Sequence, residues 1–172
     1  MIFVKKTLAL FSALWLMLLC AGCKGEKASL PEVLGVTLTD SSPVEYWDDH
    51  SAMSDGVSYW KVELSQKDAD ALEERAQTGE GWHPLPVNED METLLYGRQW
   101  PEGTESFGSG PYLTDKDGQP LLPQVEEGYW FFYDDQTETY ETAGVTERAS
   151  LNITAAVYDS QTRTLTCGKL DT

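Results

Sequence analysis

The chain has 172 residues, with 12 Lys+Arg against 29 Asp+Glu and a formal net charge of −17. A body this acidic excludes nucleic acid as a partner, because phosphate backbones demand a positive surface. Three cysteines are too few for a disulfide framework or a four-cysteine zinc site.

Lys5 and Lys6 form a basic start, followed by an uncharged run from Thr7 to Gly22. As a helix that run would span ~24 Å at about 1.5 Å per residue, short of a ~30 Å hydrocarbon core. A basic start, a short apolar core and small residues at its end describe a secretory signal peptide. Leu19-Cys20-Ala21-Gly22-Cys23 resembles the bacterial lipobox, whose usual form is Leu, small, small, Cys, with Cys20 standing where Leu is usual. The resemblance implies that the Cys23 thiol receives a diacylglyceryl group and that cleavage leaves Cys23 as the first mature residue. A plain cleaved signal and an uncleaved anchor are the alternatives. Lys24 in place of Asp argues, by the same resemblance, against retention at the inner membrane of a two-membrane cell.

The expected organisation is a signal peptide over 1–22, a lipidated Cys23 with a flexible tether over 23–30, and one globular domain over 31–172. Loss of 1–22 removes two lysines and no acid, taking the charge from −17 to about −19. Anionic headgroups repel such a domain, so the acyl chains must hold it at the membrane. Each buried methylene contributes about 0.8 kcal/mol, and two chains hold stably where one does not. The expected location is therefore the cell membrane, lipid-anchored and facing the extracytoplasmic side.

Val33 to Thr39 alternates and predicts a first strand, closed by Ser41-Ser42-Pro43. Tyr46 to Asp55 reads as a loop. Val57 to Leu64 predicts a second strand with Trp60, Val62 and Leu64 on one face. Ser65 followed by Asp68 marks the N-cap of a helix that ends by Gly79, with a thin stripe of Ala69, Leu72 and Ala76. Trp82 to Pro86 is a connector. Asn88 caps a second short helix with Met91, Leu94 and Leu95 inward and Gly97 at its end. Trp100 to Gly110 is a Gly-rich loop, and Asp115-Lys116-Asp117-Gly118 is a tight turn. Tyr129-Trp130-Phe131-Phe132-Tyr133 predicts a central strand, aromatic on both faces. Leu151 to Tyr158 and Arg163 to Leu170 predict a hairpin that joins it in a three-strand antiparallel meander. The class is α+β, an antiparallel sheet with two short helices.

Candidate chemistry gathers in few places. Asp48, Asp49, His50 and Asp55 lie close together beside Trp47. Hard oxygen ligands on a loop suit calcium, and an Asp–His pair suits acid–base work; a solvated turn is the simpler reading. The 115–118 turn lacks the EF-hand's ligand between Asp117 and its Gly, and the position six after Gly118 is Gln124. Ser109 is no nucleophile elbow, because Phe107 stands where Gly is required. His83 reads as packed in its connector and Cys167 as a small hydrophobe. Asn152-Ile153-Thr154 fits a glycosylation sequon inside a predicted strand and is given no meaning. No cofactor signature is present. Trp60 and Trp130 lie on predicted strands and belong to the core. Trp47 and Trp100 lie in loops and are the candidate ligand contacts.

The order Asp48-Asp49-His50, Asp55-Gly56, Trp82 with Leu85-Pro86, Leu94-Leu95-Tyr96-Gly97, Gly110-Pro111-Tyr112, Gly128 to Asp134, Asn152 to Asp159 and Leu170-Asp171-Thr172 resembles a group of small exported proteins of gut-dwelling Gram-positive bacteria. The resemblance spans most of 45–172 and is most specific in the aromatic strand and hairpin. That group carries no activity to transfer. It has a second histidine and glycines after His50, where this chain has Ser51-Ala52-Met53-Ser54. The departure weakens a metal or catalytic role for the loop; the resemblance implies an anchored extracytoplasmic domain. Three readings stand: a non-enzymatic ligand- or partner-binding module, a metal-dependent hydrolase using Asp48, Asp49, His50 and Asp55, and a structural envelope protein.

Overall fold

A computed structural model describes residues 29–39, 43–50, 55–98 and 110–172. Cys23, most of the tether and Trp100 lie outside them. The described residues form a six-stranded, wholly antiparallel sheet with two helices, as the α+β reading expects. The strands are β1 (Val44–Asp48), β2 (Gly56–Glu63), β3 (Trp82–Pro84), β4 (Gly128–Asp134), β5 (Asn152–Asp159) and β6 (Thr164–Asp171). Helix α1 runs Gln66–Thr78 and α2 Glu89–Tyr96. Across the sheet the order is β1-β2-β6-β5-β4-β3.

Strand alternation divides the core in two. On one face Trp60 and Val62 of β2, Leu165 and Cys167 of β6, Ala156 and Tyr158 of β5, and Phe131 of β4 meet the Ala69, Leu72 and Ala76 stripe of α1. Residues 30–38 complete this layer, with Leu34 fully buried and its carbonyl accepting from Trp82 Nε1 at 3.1 Å. On the other face Val57, Leu170, Ile153, Ala155, Val157, Trp130 and Phe132 meet Met91, Leu94 and Leu95 of α2, with Leu113 and Leu122 from the connection that follows. This layer packs closely on β6: a Cβ on Gly168 would sit 3.0 Å from a Leu113 methyl and 3.2 Å from a Leu122 methyl, so both side chains would have to give way slightly.

Both helix starts follow from their caps. Ser65 Oγ accepts from Asp68 N at 3.1 Å, and Asn88 Oδ1 accepts from Met91 N at 2.9 Å, satisfying donors that a helix start leaves orphaned. The C-terminal meander forms as expected, β4 pairing with β5 and β5 with β6. The aromatic strand β4 is second from the β3 edge rather than central; layers on both faces, not its place in the order, bury its aromatics.

Three local expectations change. The expected connector from Trp82 begins as a strand: Trp82–Pro84 is β3, paired antiparallel with β4, Trp82 opposite Phe131. Val33 to Thr39 is not a strand: Glu32–Leu34 is a 3-10 turn, Gly35 after it is left-handed at φ 65°, and 36–39 follows without ladder pairing. Its alternation is real, because Leu34 is buried and Val36 and Leu38 pack on the core while Gly35 and Thr37 between them are exposed. A segment laid across a helix-and-sheet layer needs one buried side just as a strand does. Conversely, Val44–Asp48 is a strand where a loop was expected, held by its register with β2, Trp47 opposite Tyr59 and Tyr46 opposite Trp60.

Candidate functional site

Alternation along β1 separates the polar run beside Trp47. Trp47 and Asp49 serve one side of the sheet, Asp48 and His50 the other, and Asp55 is exposed and joins neither group.

On the first side, Trp47 and its register partner Tyr59 stack with ring centroids 5.5 Å apart and planes 21° apart. They floor a groove of about 540 Å³. Glu45 and Asp49 border it from β1 and its end, and Asp115, Lys116, Pro120 and Leu121 close it from the 113–122 connection. Asp115 holds that connection in shape: its Oδ1 accepts from Asp117 N and Gln119 N, both at 2.9 Å, and its carbonyl accepts from Gly118 N at 3.0 Å. The tight turn expected from the sequence is thus present, as one wall of the groove. Asp49 Oδ1 accepts from Val57 N at 2.5 Å while Asp49 N donates to the Val57 carbonyl, so this carboxylate is pinned to β2. Burial, with Glu45 nearby, raises the Tyr59 pKa and keeps its hydroxyl neutral.

On the opposite side, His50 sits between two carboxylates. Its Nδ1 lies 2.7 Å from Asp48 Oδ1 and its Nε2 lies 3.2 Å from Asp171 Oδ2 on β6. Asp48 also accepts from His50 N at 2.8 Å and from the Tyr46 hydroxyl at 2.9 Å. Those hydrogen bonds, the backbone one first, hold the Asp48 pKa at about 2. The bond to Asp48, with the charges of both carboxylates, raises the His50 pKa against the opposing effect of burial. Lys169 Nζ adds a longer contact to Asp171 at 3.8 Å.

This arrangement is an ion cluster rather than a ligand set. The two carboxylates approach opposite nitrogens of the ring, so they do not converge with His50 on one point. Among the described residues no group of three or more His, Cys, Asp or Glu is placed to hold a metal. Ser58 Oγ, 3.5 Å from Nδ1, competes for the nitrogen that Asp48 already engages, so the three do not form a relay. The raised pKa also favours imidazolium, which has no lone pair to act as a base.

The remaining candidates are structural. His83 is exposed but stacks on Trp130 at 4.3 Å, beside a smaller depression of about 340 Å³ between β3 and Tyr140. Trp60 and Trp130 are core residues, 7% and 4% exposed. Cys167 is fully buried, and burial pushes its thiol pKa up, away from the thiolate that a nucleophile needs. Among the described residues no helix is long and apolar enough to cross a membrane.

No family model, no curated protein and no solved structure matches this chain. Function is therefore argued from the geometry.

Sequence reasoning singled out Trp47 but missed Tyr59, Glu45 and the 115–121 wall as its neighbours. The signal available for Tyr59 was parity: in β2 it lies opposite in face to Trp60 and Val62, which leaves a large aromatic off the predicted core face.

Proposed function

We propose that this chain is an extracytoplasmic domain, tethered to the membrane by lipid on Cys23, that binds a ligand or a partner's side chain without catalysis in the groove over Trp47 and Tyr59. The observation that carries the binding reading is the stacked Trp47–Tyr59 pair on the floor of a groove of about 540 Å³ with polar groups on its rim. Concave sites with aromatic area and a few fixed polar groups are the common form of small-ligand sites. Both rings are held by strand pairing, so little freedom is lost on binding. The His50 cluster gives catalysis no matching support, since both ring nitrogens face carboxylates. The lipid anchor rests on Cys23 with its preceding Ala21-Gly22, on the basic-then-apolar leader, and on an acidic body that requires another source of membrane attraction.

Two experiments test the two halves. The indole N–H resonance of Trp47, assigned through Trp47→Phe, should shift with at least one member of a panel of cell-wall glycans, peptides and amino acids. Silence across the panel overturns the binding reading. Separately, Cys23→Ala should abolish incorporation of a fatty-acid analogue and release the protein from membranes; labelling that persists overturns the anchor.

A further inference from the structure

We infer that the groove recognises a cation, the protonated amine of a lysine-type side chain on a peptide or free amino acid; this rests on the binding reading above and specifies its ligand. Three carboxylates, Glu45, Asp49 and Asp115, face the groove against a single amine, Lys116. Among the described residues none of the three has an ion-pair partner within 4 Å, and neither does Lys116. Lys61, opposite Glu45 in the β1–β2 register, makes no such pair with it either. Asp49 and Asp115 each commit Oδ1 to backbone amides, which fixes the carboxylate and leaves Oδ2 as an acceptor.

The aromatic floor agrees with the rim. An alkyl stem with a charged end matches both surfaces, its methylenes lying on the rings and along Pro120 and Leu121, its amine among the carboxylates. An anionic ligand is repelled by the rim and by the net charge of −17. A neutral ligand of the same shape covers the carboxylates without compensating them. Lys116 is the complementary feature, a donor for the ligand's carboxylate or peptide carbonyl some distance from its amine.

The test uses the full chain in detergent micelles and reads the Trp47 indole resonance. The probes are Nα-acetyl-lysine N-methylamide and its Nε-acetylated form, which is neutral and slightly longer. The charged probe should shift the resonance saturably, and the neutral one should bind at least tenfold more weakly. Glu45→Gln, at an exposed position with no fold-stabilising bond, should weaken the charged probe several-fold, whereas Glu32→Gln on the far layer should not. Equal binding of the two probes, or no shift with the charged one, overturns the proposal. If the charged probe fails while a neutral glycan or peptide moves Trp47, the groove reading survives and only its ligand class is wrong. If nothing moves Trp47, both fall.

Discussion

Towards the β3 edge of the sheet, β4 and β5 bury apolar groups on both faces, Phe131 and Ala156 on one, Trp130, Phe132, Ile153, Ala155 and Val157 on the other. Towards the other edge, β1 carries a carboxylate or an exposed aromatic at most positions, and Tyr46, 42% exposed, is the one exposed large hydrophobic among the described residues. The same alternation governs both. In the interior it assigns each side chain to one of two cores; at the edge, where α1 and α2 do not reach, it assigns polar groups to two separate clusters. Stability is concentrated in the first region and the available chemistry in the second.

The contrast breaks most readily in the interior. Phe132 is fully buried against the α2 layer, and Phe132→Ala should cost about 3–5 kcal/mol in urea unfolding. Because three strands, β2, β6 and β5, lie between β4 and β1, the Trp47 resonance of the folded fraction should stay in place. A shift there would show that interior and edge are not independent. Asn88→Ala should cost about 1 kcal/mol through loss of the α2 cap, with a further loss from its bond to Thr142 at 2.9 Å. Again only the melting point should move.

The smallest effect belongs to the edge. His50→Gln should cost about 1 kcal/mol or less, because its partners are partly exposed and screened. Its pH dependence is distinctive. The His50 pKa is raised above its ordinary 6.5, so its contribution is complete below that value and fades as pH rises through the folded pKa. The Asp48 pKa is lowered from 3.8 to about 2, so its contribution is complete above 3.8 and fades as pH falls towards 2. The difference in stability between wild type and variant should therefore peak between about pH 4 and 6.5. A difference that is flat with pH would show that the ion cluster contributes nothing.

What the sequence revealed follows the same division. Trp60, Val62 and Leu64 on one face, the Ser65 and Asn88 caps and the late hairpin were legible because each depends on residues close in the chain. β1 was not, because Glu45 and Asp48 obscure its alternation and only pairing with β2 makes it a strand. The site was legible only in part. Trp47 stood out as an aromatic among acids, but Asp171 reaches His50 across 121 positions. The wall at 115–121 comes from a connection whose own pattern indicated only a turn. Conversely, proximity in sequence suggested one four-residue cluster where a two-residue repeat produces two.

β6 is the last strand in chain order, yet it lies between β2 and β5 and joins the early part of the sheet to the late part. Until it is available, β1–β2 with α1 and β3–β4–β5 with α2 are two half-sheets with no ladder between them. Pairing strands so distant in sequence carries a loop-closure cost before any contact offsets it, which slows folding. If the chain follows the export route proposed above, that order has a consequence: the described sheet would stay in two halves until β6 had followed the other five strands across the membrane.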